Sequence, residues 1–193
     1  MDRKKKRKIK IEKIHQATIK TVNEHGFVDA SCAKIAKAAN VSPATIYLCH
    51  ENKEGLIVTT FLRAYKFIIE QCYVYDKTDD PEYIFKTFYK NLLRCVRSNP
   101  EEVQYLGLFF SSPYVKLIDL QELNQNSLPE LNNFFKDTNH QIIESFFFGS
   151  ATFLSNTFVY PNFVLTDANL VLAADAMWAA VNVFLNANDH QTP

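Results

Sequence analysis

The sequence predicts an all-α protein, and three observations carry that expectation. Only four glycines occur in 193 residues. Apolar residues recur at helical spacing through several long segments. Proline directly follows Ser42, Asp80 and Asn99, at places where its missing N–H costs a first helical turn nothing. With 47% apolar and 22% charged residues, the composition is that of an ordinary globular chain. Its length suffices for one large or two small domains.

The elements follow in order. Asp2 to Lys10 holds seven Lys and Arg residues and reads as a mobile basic arm. A first helix runs to about His25, with Ile14, Ala17, Thr18, Thr21 and Val22 on its inner face. Ser31 is an N-cap candidate, because its hydroxyl can accept from a free N–H of the next turn. Ile35, Ala36 and Ala39 then form a narrow apolar stripe. Asn40 tolerates the left-handed conformation and so can end this helix and turn the chain. Val41 packs inward, Ser42 is a second N-cap candidate, and Pro43 opens a third short helix. There Ile46 points to the core, while Ala44, Thr45, Tyr47 and Leu48 lie outside.

A long fourth helix starts near Asn52 or Lys53 and runs to about Tyr75, with Leu56, Phe61, Ile68 and Ile69 inward. Asp79-Asp80-Pro81 breaks the chain and starts a helix through about Arg97. Asn99-Pro100 repeats that punctuation, and two shorter helices follow over Glu101–Phe110 and Pro113 to about Gln125. A helix from about Pro129 to Phe148 aligns Leu131, Phe135, Thr138, Ile142 and Phe146. The last, from about Thr166 to Ala187, is apolar almost all round, so it needs cover on two sides.

A net charge of zero hides a strong asymmetry. Through Lys53 the chain carries 12 Lys and Arg against 5 Asp and Glu, a surplus of +7, which the remainder cancels. A basic end on an acidic body seeks phosphate. Together with two short helices joined by a tight turn, it points to duplex DNA.

Asn40-Val-Ser-Pro-Ala-Thr-Ile-Tyr47, followed by Asn52-Lys-Glu-Gly-Leu56, resembles the helix-turn-helix of the tetracycline-repressor (TetR) family of bacterial transcription regulators. The resemblance covers about Ile9 to Phe61 and includes His25-Gly26-Phe27, where the family ends its first helix. Asn40 stands where glycine is usual. Cys49-His50 stands where the family commonly has an aromatic pair ending in phenylalanine. The resemblance implies residues 1–53 as basic arm and DNA-binding domain, with the helix-turn-helix at about 31–50. Residues 54–193 are then a helical regulatory and dimerisation domain.

Two reading heads on a two-fold axis bind half-sites about 34–36 Å apart, or a near multiple of that. In that arrangement Lys4, Lys5, Lys6 and Arg7 contact phosphates or a minor groove, with steep salt dependence. Thr45 reads a base edge, and Pro43 and Ala44 offer apolar contact to a thymine methyl. Ser31 is a DNA-contact candidate, Ser42 and Tyr47 are phosphate-side candidates, Leu48 an apolar contact, and Lys53 a phosphate contact at a helix start. His50 either touches DNA or fills the space of the missing phenylalanine. The resemblance further implies a homodimer through the last two long helices, a palindromic operator, and a small, largely apolar or aromatic ligand. Ligand release of a repressor is the implied mode. Candidate pocket residues are Phe88, Leu92, Arg94, Gln104, Tyr105, Phe109, His140, Phe147 and Trp178.

Other classes have less support. The chain has no Gly-rich phosphate loop and no nucleophile elbow, so no enzyme and no cofactor is expected. His140 and Glu144 share a helix face but lack a third ligand, so no metal is expected. Cys32, Cys49, Cys72 and Cys95 are widely spaced and read as reduced, small apolar residues of a cytoplasmic protein. No apolar run is long enough to span a bilayer, so no membrane association is expected. The alternative reading is a helical adaptor that uses its basic arm on acidic partners.

Overall fold

The computed structural model of the protein describes residues 3–73, 80–119, 123, 148–151, 153 and 164–188, the last five by backbone alone. The helix expected over Pro129–Phe148 lies almost wholly outside these residues, and with it His140 and Phe147. Seven helices and one 3-10 turn make up the main elements: α1 (Arg3–Asp29), α2 (Cys32–Ala38), α3 (Pro43–Cys49), α4 (Lys53–Cys72), α5 (Pro81–Ser98), α6 (Pro100–Phe110), the 3-10 turn Pro113–Leu117, and α7 (Asp167–Asn188), numbered among the described helices. No strand occurs among the described residues.

Two expectations need correction here. The basic arm is not a separate coil. Arg3 to Lys10 forms the first turns of α1, because Lys and Arg are good helix formers and no Gly or Pro interrupts the run into Ile14. Helical geometry in α1 breaks instead at Gly26, whose φ of 73° suits a residue without Cβ. The second correction is at Pro113. Ser112 accepts from the Tyr114 N–H and starts only a 3-10 turn, which the extended backbone of Ile118 ends.

The described chain divides into two compact units, residues 1–65 with 101–119 and residues 66–100 with 120–193. In the first, Ile14, Val22, Ile35, Ile46, Leu56 and Ile57 are fully buried. Phe61 stacks on Phe109 with centroids 3.9 Å apart, and Phe27 meets the rings of Tyr105, Phe109 and Tyr114. The Tyr105 hydroxyl donates to the Ile57 carbonyl at 2.9 Å, so this large side chain is buried with its polar tip satisfied.

In the second unit α5 buries Phe85, Phe88, Tyr89, Leu92 and Leu93. Its start is capped by Asp80, whose carboxylate accepts from the Glu82 N–H. α7 packs on α5 with Leu170, Ala174, Met177 and Val181 buried. Trp178 lies 5.5 Å from Phe85, centroid to centroid. Lys86 bridges Glu82 and Asp175 at 2.5 and 2.7 Å, tying the two helices at their rim. All four cysteines are free thiols. Cys72 and Cys95 both donate to the Ile68 carbonyl, at 3.1 and 3.8 Å.

Candidate nucleic-acid interface

The turn between α2 and α3 is built by backbone hydrogen bonds. The Ser31 hydroxyl accepts from the Lys34 N–H at 3.2 Å and caps α2. At the other end Asn40 adopts φ 53°. The Val41 N–H then reaches back to the Ala36 carbonyl at 2.9 Å and the Asn40 N–H to Lys37 at 3.2 Å. That pair is a Schellman closure with Asn in place of Gly. It fixes the angle at which α3 leaves, and buried Ile46 holds α3 to the core.

Pro43, Ala44, Tyr47 and Leu48 are exposed on α3, and Leu48 is 81% exposed. Thr45 is half-buried. Ser42 does not cap α3 with its side chain. Its hydroxyl instead bonds the Thr45 hydroxyl at 3.0 Å, while its backbone carbonyl accepts from the Thr45 N–H. The pair therefore presents two hydroxyls together. The Tyr47 phenol shares a hydrogen bond with Cys32, which holds its pKa above the ordinary phenol value.

His50 takes the second of its two expected roles, and Lys53 has a partner within the chain. His50 is 9% exposed, with Nδ1 3.1 Å from the Thr59 hydroxyl and its ring edge-to-face with His15 at 5.2 Å. It fills core space and does not face outward. The Lys53 ammonium donates to the carbonyls of Phe27 at 2.6 Å and Val28 at 3.3 Å. It thus clamps the end of α1 to the start of α4. Lys4, Lys5, Lys6 and Arg7 are exposed on α1. Lys4, Arg7, Lys8 and Ile11 line a shallow open cleft with Arg63 of α4, and Arg63 pairs with Glu12.

Sequence reasoning did not single out His15, Arg63, Thr59 or Thr60. His15 was accessible to it, because it adjoins Ile14 on the inner face of α1; Arg63 is placed only by helix packing.

The described candidate pocket residues are divided between the two units. Phe88 and Leu92 are buried in the second unit, where Trp178 is partly exposed. Arg94 is exposed there and pairs with Asp167 at 2.9 Å. Tyr105 and Phe109 are core residues of the first unit, and Gln104 is exposed. Among the described residues no group of three or more His, Cys, Asp or Glu is arranged to hold a metal. No described helix is long and apolar enough to cross a membrane.

The family model of bacterial regulatory proteins of the tetR family matches residues 14–59, from the first buried isoleucine of α1 through the whole turn and into α4. A solved TetR-family transcription regulator from Marinobacter aquaeolei VT8 superposes with a TM-score of 0.79 at 25% identity, covering 92% of this chain and 97% of that one. Residues 14–59 thus carry the sequence signature of the TetR family of transcription regulators. A TetR-family transcriptional regulator from Haemophilus influenzae RD shares the fold, with a TM-score of 0.64, 22% identity, and coverage of 89% and 98%. The chain is also similar to the fatty acid metabolism regulator protein of Bacillus subtilis (strain 168), 35% identical over 57 residues. That match spans 30% of this chain and 29% of the relative's length. The family's DNA-binding module and the geometry of α2 and α3 coincide in the same residues.

Proposed function

We propose that the protein is a dimeric, sequence-specific transcriptional repressor that is released from its operator by a small, largely apolar or aromatic ligand. The observation that carries the reading is α3 itself: a seven-residue helix held at its base by Ile46 and open on its other face. α3 lies in the major groove. Thr45 reads a base edge, with Pro43 and Ala44 against thymine methyls. Ser42 and Ser31 serve the phosphates, and Leu48 adds an apolar contact. Lys53 acts indirectly, by fixing the α1–α4 junction, and His50 acts from inside.

Lys4 to Arg7 add phosphate contacts from a helical scaffold. A row of cations in fixed register binds a polyanion with less ordering cost than a coil. The dimer reading is supported by α7. Ala168, Val171, Leu172, Ala176, Ala179 and Val183 are exposed along one side of it, opposite the side that meets α5, and Leu172 and Val183 are 68% and 67% exposed. A second copy of this helix is the cover such a stripe requires.

Release by ligand is a shift between two conformations, so ligand and operator weaken each other by the same factor, typically about 1–3 kcal/mol of coupling. The likeness to the Bacillus subtilis regulator is confined to 57 residues. It therefore bears on the reading head and not on the ligand.

Thr45→Ala tests the base-reading role. On the preferred duplex, discrimination against a single-base change under Thr45 falls by about 1–3 kcal/mol, while affinity for unrelated duplexes is unchanged. Unaltered discrimination in a gel-shift titration refutes the assignment.

A further inference from the structure

Two buried imidazoles lie beneath α3, and neither takes part in the DNA contacts proposed above. His15 of α1 and His50, at the end of α3, are 3% and 9% exposed and meet edge to face. Each Nδ1 faces a hydroxyl of α4: His15 meets Thr60 at 2.8 Å and His50 meets Thr59 at 3.1 Å. Each hydroxyl has one proton and spends it on its own helix. Thr60 donates to the Leu56 carbonyl and Thr59 to Gly55, both at 2.7 Å. Their lone pairs therefore face the rings, each Nδ1 carries the hydrogen, and each Nε2 carries the lone pair.

A further proton has only Nε2 to occupy. At His50 that atom is buried and has no hydrogen-bond partner, so a proton placed there has nothing to donate to. Arg63 of α4 adds its positive charge to both rings. Glu12 of α1 pairs with Arg63, and among the described residues no carboxylate pairs with either imidazole. Tyr105, close to Thr60, is held neutral, since burial raises its phenol well above the ordinary value. Burial first and Arg63 second push both imidazoles down from 6.5, His15 to about 3.

We propose that His15 and His50 are positioning residues that dock the end of α3 onto α1 and α4 only while both rings are neutral, so that acidification frees α3 and weakens DNA reading. The functional consequence rests on the DNA-reading proposal; the proton linkage does not. The docked state holds the rings neutral below their ordinary pKa, so docking is fully favoured above that value and is lost as pH falls through it. A ring set free regains a pKa of about 6.5, and each one multiplies the open population about tenfold per pH unit below that point.

The test uses the full chain. Imidazole signals are followed by NMR from pH 8 to 4.5, and affinity is measured at pH 7.5 and 5.5 for a duplex selected from a random pool at pH 8. Neither ring should titrate near 6.5 while α3 stays docked, and the ratio of open to docked α3 should rise by about a hundredfold between pH 7.5 and 5.5, with affinity falling as the open form becomes populated. His50→Phe keeps an aromatic ring in the space, and His50→Asn keeps a donor toward Thr59; circular dichroism checks that each is folded. Each folded variant should lose less affinity over the same interval. Ordinary titration of both rings with α3 docked, or an unchanged profile in both variants, overturns the proposal. If no sequence is preferred at pH 8, the DNA-reading proposal fails, and the ring titration still decides this one.

Discussion

In the region around the α2–α3 turn, single residues have tasks that no neighbour shares, whereas the buried apolar residues of α5 and α7 act as interchangeable packing. Asn40 closes α2 because its backbone is left-handed there, and Ser31 caps because its hydroxyl reaches Lys34. Phe88, Leu92 and Met177 are buried among other apolar groups, and a different set of similar volume would fill the same space. Local geometry imposes residue types and so leaves a readable mark; packing imposes mainly volume. A family signature confined to residues 14–59 is the outcome expected when function is fixed locally in one region and by shape in the other.

The comparison can be broken from either side. The largest effect is expected at α7. Leu172→Glu places a charge on the exposed stripe without touching the face buried against α5. Sedimentation should show a monomer, and operator affinity should fall about a hundredfold or more as two linked heads become one. Circular dichroism should show unchanged helicity. A dimer that persists removes α7 from the interface.

A smaller effect belongs to Asn40. Asn40→Val forces a β-branched residue to φ 53°, which costs about 1–2 kcal/mol of stability. Asn40→Gly relieves the same position and should be neutral or stabilising by up to about 1 kcal/mol. Equal denaturation midpoints for the two variants would mean that the turn is not conformationally constrained.

Much of the first region was legible because its signals are sequential neighbours. The cap at Ser31, the turn at Asn40, the proline at Pro43 and the inward Ile46 all follow from chemistry within a few residues. The partners of His50 and Lys53 were not legible because they lie far along the chain: His15 is 35 residues from His50, and Phe27 is 26 from Lys53. Short-range reasoning assigns a charged or aromatic tip to solvent, where burial against a distant helix claims it instead. The basic arm was misread for a different reason. A run of like charges signals a solvated tail, yet Lys and Arg propagate a helix well once Ile14 and its neighbours anchor one. In the second unit the helices were legible from apolar periodicity, but the ligand site was not. Aromatic residues carry no mark that separates a lining position from a filled core.

One measurement bears most directly on the account. The intact chain is incubated with a pool of random duplexes at moderate salt, and the bound fraction is amplified and sequenced. An inverted repeat should emerge, its half-sites centred about 34–36 Å apart or a near multiple of that. Retention of duplexes with no shared sequence, lost steeply as salt rises, would show a basic surface holding phosphate and would contradict α3 as a reader of bases.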